Sequence, residues 1–348
     1  MPGKIELPRY RVFISYAHED EAFCTEVIEL LKKLSLVPLS DKRLAFGHGF
    51  LDQIQKYISY AHIFMPLVTK TSNQGQWVNQ EIGFAAALGV PVFPLCLVEP
   101  PLGMIQTSHS LVLDSPGDLA NRLTRDAFDG MISWAGRTSR PLFECAEEME
   151  ERALMLADYA DQVRSISGPQ KLRQAGGLTS FSIPNQAPGH ENWKRRWGTG
   201  KRSAFSMKCL RKERQALEEH AREAGCRLII HSGLAKEMDD RHGPGAWQAR
   251  VDSLTEFLTT MPEDRVELVL VDKAPRHSRV LIGDWFSAES RTGDMETGYR
   301  HTLFTRTGSA VRQQLQEFDL EFDNLAKAGH QMAVDDAVKR LQRNPRST

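Results

Sequence analysis

Over roughly the first 130 residues, short apolar runs alternate with segments of helical period. RVFISY (11–16) leads into DEAFCTEVIELLKKL, where Phe23, Val27, Leu30, Leu31 and Leu34 recur at helical spacing. LVPLS (36–40), HIFMPLV (62–68), PVFPLCL (91–97) and SLVLD (110–114) read as further strands, with helices expected near 50–60, 75–88 and 116–130. Such alternation predicts an α/β domain with a doubly wound, parallel, five-stranded sheet whose ligands sit beyond the carboxyl ends of the strands.

The pattern then changes. In PLFECAEEMEERALMLADYADQVRSI, Leu142, Ala146, Met149, Ala153, Leu156, Ala160 and Val163 follow alternating steps of four and three. This is a heptad-like seam in which alanine at one position lets a partner helix approach closely, in a second subunit or in the same chain; a connecting helix lying on its own domains is the plainer reading. Residues 165–206 are rich in Ser, Gly, Pro, Asn and Gln without a period, as in a linker. Beyond them a helix near 206–224, strands at 226–232, 265–272, 279–284, 285–290 and 302–308, a helix near 245–261 and a final helix to about 328 predict a second α/β or α+β domain. The expected division is a first domain over 1–137, a connecting helix over 138–167, a linker or irregular segment over 168–205 and the second domain over 206–348.

Composition narrows the chemistry. With 348 residues, 26% charged and 41% hydrophobic, the chain is of ordinary globular type, and its formal net charge of -1 gives no overall bias towards nucleic acid or an anionic membrane. Five cysteines without a CxxC pair argue for reduced thiols in a cytoplasmic protein rather than disulfides or a zinc site. The amino-terminal stretch lacks the apolar core of a signal peptide, and no membrane association is expected. HExxH, GxSxG and EF-hand patterns are absent, the GHG and GTG stretches at 47–49 and 198–200 lack the rest of a phosphate loop, and the histidines show no metal-ligand spacing. No metal and no cofactor is expected.

One residue stands out. In SNQGQWVNQEIGFAAALG (72–89), Glu81 lies one helical turn beyond Trp77, near the face that carries Phe84, Ala85 and Leu88. A glutamate snorkelling from an amphipathic helix is the plain reading. Three stretches in order, VFISYAHED, DKRLAFGHGFLDQI and HIFMPLVTKTSNQGQWVNQEIGFA, resemble the Toll/interleukin-1 receptor (TIR) domain, the last with that family's W-x-x-x-E spacing at Trp77 and Glu81. The resemblance covers about residues 9–135 and implies a flavodoxin-like fold. For many bacterial, plant and some animal members it also implies hydrolysis of NAD+, as substrate, at the nicotinamide–ribose bond, giving ADP-ribose or a cyclic form, with Glu81 in the catalytic position. Other members serve only as interaction modules, self-associating or docking on other TIR domains.

On this resemblance Tyr16, Ala17 and Trp77 are expected around the nicotinamide end, Lys42 and Arg43 near the pyrophosphate, Phe46 in the loop that gates the pocket and contacts neighbouring TIR domains, and Ser72 at the rim of the substrate site. Taken singly, Lys42 and Arg43 also read as solvated loop charges, and Trp77 as packing. A NAD-consuming domain is usually joined to a sensor or an assembly device in bacterial antiviral immunity, which assigns that role to the carboxyl-terminal half. There VELVLVDKAPRHSRVLIGDWFSAES resembles part of phospholipase D-like folds, but His231 is followed by Ser232 and Gly233, so the H-x-K-x4-D motif is read as missing. The segment 194–214 holds nine Lys or Arg against one Glu, with Trp197 and Phe205 interleaved, so a nucleotide or nucleic-acid trigger is one reading and a solvated helix face the other.

Overall fold

A computed structural model of the chain describes residues 10–40, 50–74, 76–98, 100, 105, 110–130, 144–183, 201–233, 246–275, 277–292 and 299–343. The chain divides into two compact units near Leu142 and Phe143.

In the first unit the strands are β1 (Arg11–Ser15), β2 (Val37–Ser40), β3 (Ile63–Val68), β4 (Leu95–Leu97) and β5 (Leu111–Leu113). The helices are α1 (Glu21–Lys33), α2 (Phe50–Tyr60), α3 (Lys70–Gln74), α4 (Gln76–Ala87) and the short α5 (Leu119–Arg122). All pairings are parallel and the order is β2-β1-β3-β4-β5, so the five-stranded, doubly wound α/β fold expected from the alternation is present. Every residue of β1 and β3 is buried, which is why these strands read as unbroken apolar runs. The period of two then sorts their side chains. Val12, Ile14, Met65 and Leu67 join Val27 and Leu31 of α1 in one core layer, whereas Phe13 stacks on Phe64 (centroids 5.8 Å) and meets Tyr57 of α2 (6.5 Å) on the other face. Proline is tolerated at Pro38 because β2 is an edge strand. Pro66 is in the interior β3, opposite Ser15, and removes a ladder donor close to the carboxyl ends.

The second unit holds a seven-stranded mixed sheet of order β6-β12-β11-β10-β7-β8-β9. Its strands are β6 (Glu144–Ala146), β7 (Leu172–Gly177), β8 (Cys226–His231), β9 (Val266–Val271), β10 (His277–Ile282), β11 (Phe286–Thr292) and β12 (Tyr299–Thr305). β7, β8 and β9 are parallel, and β10, β11, β12 and β6 continue antiparallel from β7. The helices are α6 (Met149–Ser167), α7 (Lys201–Ala224), α8 (Ala246–Thr260), α9 (Gly308–Leu325) and α10 (Val334–Gln342). A second α/β domain with both strand senses is therefore present.

Two expectations for this region change. The reading of 168–205 as a linker fails for its first part: Leu172–Gly177 is an interior strand, paired from Leu172↔Cys226 to Gly177↔His231. Its Arg173, Gln174 and paired glycines carry no strand signal; neighbours on both sides impose the conformation. Residues 184–200 lie outside the described residues. The heptad seam is filled from within the chain. The helix starts at Met149, Ala146 belongs to β6, and Leu142 lies outside the described residues. Ala153, Leu156, Ala160 and Val163 are fully buried, and α6 packs along α7, with Met149, Ala153, Met207, Cys209 and Leu210 in one cluster. The Ala160 carbonyl takes a hydrogen bond from His220 Nε2 of α7 at 3.0 Å, an approach that a larger residue would hinder.

Candidate functional site

In the first unit the chain leaves β1 to make β2 on one side and returns to make β3 on the other, a topological switch whose carboxyl ends are where such sheets form their ligand crevice. β1 ends at Ser15 and β3 at Val68. Alternation places Ser15 with Phe13 on the face covered by α2, and α4 contributes Glu81 there. The Ser15 hydroxyl donates a hydrogen bond to Oε2 of Glu81, with Ser15 2% and Glu81 5% exposed. Removing a carboxylate from water is costly unless donors replace the water, and Ser15 is one such donor. Ile82 and Ala85, beside Glu81 on α4, are buried as well, so Glu81 does not snorkel to solvent.

A second tie crosses the crevice. Thr69, just beyond β3, donates from Oγ1 to Asp20 Oδ2 at 2.7 Å, joining the β3 exit to the turn that follows β1. Thr69 N–H donates to Ser72 Oγ (2.8 Å) and Ser72 N–H to Thr69 Oγ1 (3.1 Å), a reciprocal cap at the start of α3. Asn73 Nδ2 donates to the carbonyl of Pro100 (3.3 Å), beyond the β4 exit, where Val98 is held at φ 66°, an unusual conformation for a β-branched residue.

The residues singled out in the sequence fall as follows. Glu81 is at the crevice. Tyr16 is buried at the exit of β1 as part of the core layer. Ala17 is half-buried, and its carbonyl accepts Asp20 N–H at 2.8 Å. Trp77 is half-buried, one turn before Glu81 on α4. Ser72 is buried, its hydroxyl engaged with Thr69. Lys42, Arg43 and Phe46 lie outside the described residues. Ser15 was not singled out, because a small hydroxyl residue at a strand end carries no distinctive pattern; the S of FISY was the one available sign. Burial pushes the Cys96 thiol in the middle of β4 up to about 11, so it offers no thiolate near neutral pH. The edge thus presents one desolvated carboxylate with a fixed donor, a group suited to stabilising positive charge that develops on a bound molecule.

In the second unit the basic run is partly structural. Arg214 is buried and donates to Ser253 Oγ (2.5 Å) and to the Ile183 carbonyl, whereas Lys208 and Lys212 are exposed. The H-x-K-x4-D motif is not present in the second unit's strands, but a related spacing is. Residues 277–284 read His-Ser-Arg-Val-Leu-Ile-Gly-Asp, which keeps the spacing of the motif at His277, Arg279 and Asp284 but has arginine where the motif has its lysine. Arg279 NH2 lies 2.6 Å from His277 Nε2 and 3.3 Å from Glu321 Oε2. Burial above all holds the His231 and His277 imidazoles below the ordinary histidine range, and Arg279 adds to this at His277.

Comparison with known proteins gives one match to a protein family: the model of the TIR domain covers residues 12–126, from β1 to just beyond α5. No curated protein matches the chain. Among the described residues no helix is long and apolar enough to cross a membrane, and no group of three or more His, Cys, Asp or Glu is placed to hold a metal ion.

Proposed function

From the premise that residues 12–126 are a TIR domain, we propose that this chain cleaves NAD+ at the nicotinamide–ribose bond, with Glu81 as the catalytic residue. The observation that carries this reading is the buried carboxylate of Glu81, hydrogen-bonded by Ser15 beyond the carboxyl end of β1. Nicotinamide leaves NAD+ as a neutral molecule, so departure needs no strong general acid; positive charge instead develops at the ribose C1′ and ring oxygen. A carboxylate held in a dry crevice stabilises that charge, and water, or a nucleophile of the substrate itself, completes the bond to C1′ to give ADP-ribose or a cyclic product.

Tyr16, Ala17 and Trp77 would border the nicotinamide end, with Lys42, Arg43, Phe46 and Ser72 contacting the remainder of the dinucleotide. In this reading the protein acts in the cytoplasm of a bacterium, in antiviral immune signalling. It self-associates through its TIR domain and is held in check by the second unit until a nucleotide or nucleic-acid signal is sensed.

Incubating the full chain at high concentration with NAD+ and measuring nicotinamide tests the reading. Glu81→Gln keeps the shape and removes the charge, and should lower release about a hundredfold or more. A wild type that releases no nicotinamide, alone or with candidate nucleotides and nucleic acids, would refute it. A second reading also draws on the Ser15–Glu81 bond: Glu81 as a buried tie holding α4 to β1 in a non-catalytic interaction module. It predicts that Glu81→Gln changes stability and leaves no activity to lose.

A further inference from the structure

We infer that Ser15 is a positioning residue for Glu81, keeping the carboxylate ionised and fixed in the crevice. This rests on the NAD+-cleavage reading for its catalytic consequence. It rests on geometry alone for its effect on Glu81.

The argument begins with burial. A buried charge is costly unless donors replace the water it loses, and Glu81 is among the buried charged residues. The helix gives little help, because Glu81 is beyond the first turn of α4, where the field of the helix amino terminus is already weak. A donor to the charged form opposes desolvation, and Ser15 directs its hydroxyl to Oε2. That hydroxyl hydrogen has one place to go at a time, so the bond also fixes which carboxylate oxygen faces Ser15.

Ser15 is well anchored for the task. It ends an interior strand flanked by β2 and β3 and stands opposite Pro66 in the register. Two residues earlier on the same face, Phe13 is fully packed between Phe64 and Tyr57. A side chain on such a strand is held more tightly than one on a loop, which is what a pre-set electrostatic contact requires. Ser15 does not touch the reacting atoms in this account; it acts through Glu81.

The test uses the full chain with Ser15→Ala, Ser15→Cys and Ser15→Thr. Alanine removes the donor, cysteine keeps a similar shape with a weak donor, and threonine restores a hydroxyl. With NAD+ as substrate, Ser15→Ala and Ser15→Cys should lower kcat about ten- to a hundredfold with little change in KM, and move the acid limb of the pH profile to higher pH. Ser15→Thr should recover most of the loss. In parallel, the Glu81 carboxyl is titrated by carbon-13 NMR without substrate, its resonance identified by its disappearance in Glu81→Gln. The titration should move upward in Ser15→Ala and Ser15→Cys.

An unmoved Glu81 titration, or a kcat and pH profile equal to wild type in both donor-poor variants, overturns the inference. If the titration moves but the wild type releases no nicotinamide, the hydrolase reading fails and the electrostatic tie between Ser15 and Glu81 stands. The two failures are thereby told apart.

Discussion

Glu213 of α7 is 1% exposed and takes two hydrogen bonds, from Arg152 NH1 of α6 at 2.9 Å and from Ser180 Oγ at 2.6 Å. Arg152 is itself 12% exposed at its side chain and reaches on to Ser290 Oγ at 3.3 Å, which pairs with Thr302 Oγ1 at 2.7 Å. Replacing Glu213 by Gln therefore removes the carboxylate charge that faces Arg152 NH1 and breaks one side of a largely enclosed ion pair. Breaking one side of a buried ion pair costs about 3–5 kcal/mol. The loss should appear in native-state hydrogen exchange: protected amides of β7 and α7 that exchange only on full opening should exchange roughly a hundred- to several-thousandfold faster. Replacing both partners, Arg152→Met with Glu213→Met, removes charge and counter-charge together and should recover most of the stability. An acceleration of less than about tenfold in Glu213→Gln would refute the picture of an enclosed, mutually dependent pair, as would a double variant weaker than the single one.

Two further outcomes follow from the same helix pair and its exit. His220 is fully buried, with Nδ1 accepting Gln170 N–H (2.9 Å) and Nε2 donating to the Ala160 carbonyl, and burial holds its pKa below the ordinary 6.5. The unfolded chain therefore binds a proton that the folded chain resists, so stability contributed by His220 is intact above 6.5 and is lost as pH falls below it, by up to about 1.4 kcal/mol per pH unit. Denaturant midpoints between pH 7.5 and 5 should fall less steeply in His220→Gln, whose amide supplies one donor and one acceptor; an unchanged slope would show that His220 is not a source of the acid sensitivity. Gly225 ends α7 at φ 82°, and a Cβ there would lie 3.0 Å from the Arg265 carbonyl oxygen, so Gly225→Ala should cost more than about 1 kcal/mol in urea unfolding. A neutral or stabilising result would mean that the turn relaxes freely.

Legibility in the sequence followed the directness of the physical signal. β1 and β3 are buried on both faces and α1 carries one apolar stripe, so period and composition both pointed to the observed elements. β7 had neither signal. Its place between β8 and β10 is determined by partners far along the chain, which no local pattern of Arg, Gln and Gly discloses. The heptad-like seam was visible as a spacing, but the same spacing serves a partner within the chain or outside it. Only the presence of α7, with its ion pair from Glu223 to Arg164 at 2.6 Å, decides for the former.

At the site the contrast is sharper. Glu81 was legible because a carboxylate near the apolar face of a helix conflicts with burial, and local conflict of that kind tends to mark function. Ser15 conflicts with nothing: a small hydroxyl residue at a strand end is ordinary, and its meaning comes from an α4 side chain far along the sequence, at 2% and 5% exposure for the pair. In the proposed reaction both residues have a part. A buried charge needs donors to replace its water, and without the enclosure water would screen it from the charge that a departing nicotinamide would leave behind. A residue that supplies charge can be found by looking for what should not be buried; one that makes the burial tolerable is found only once the two strands and the helix are in place.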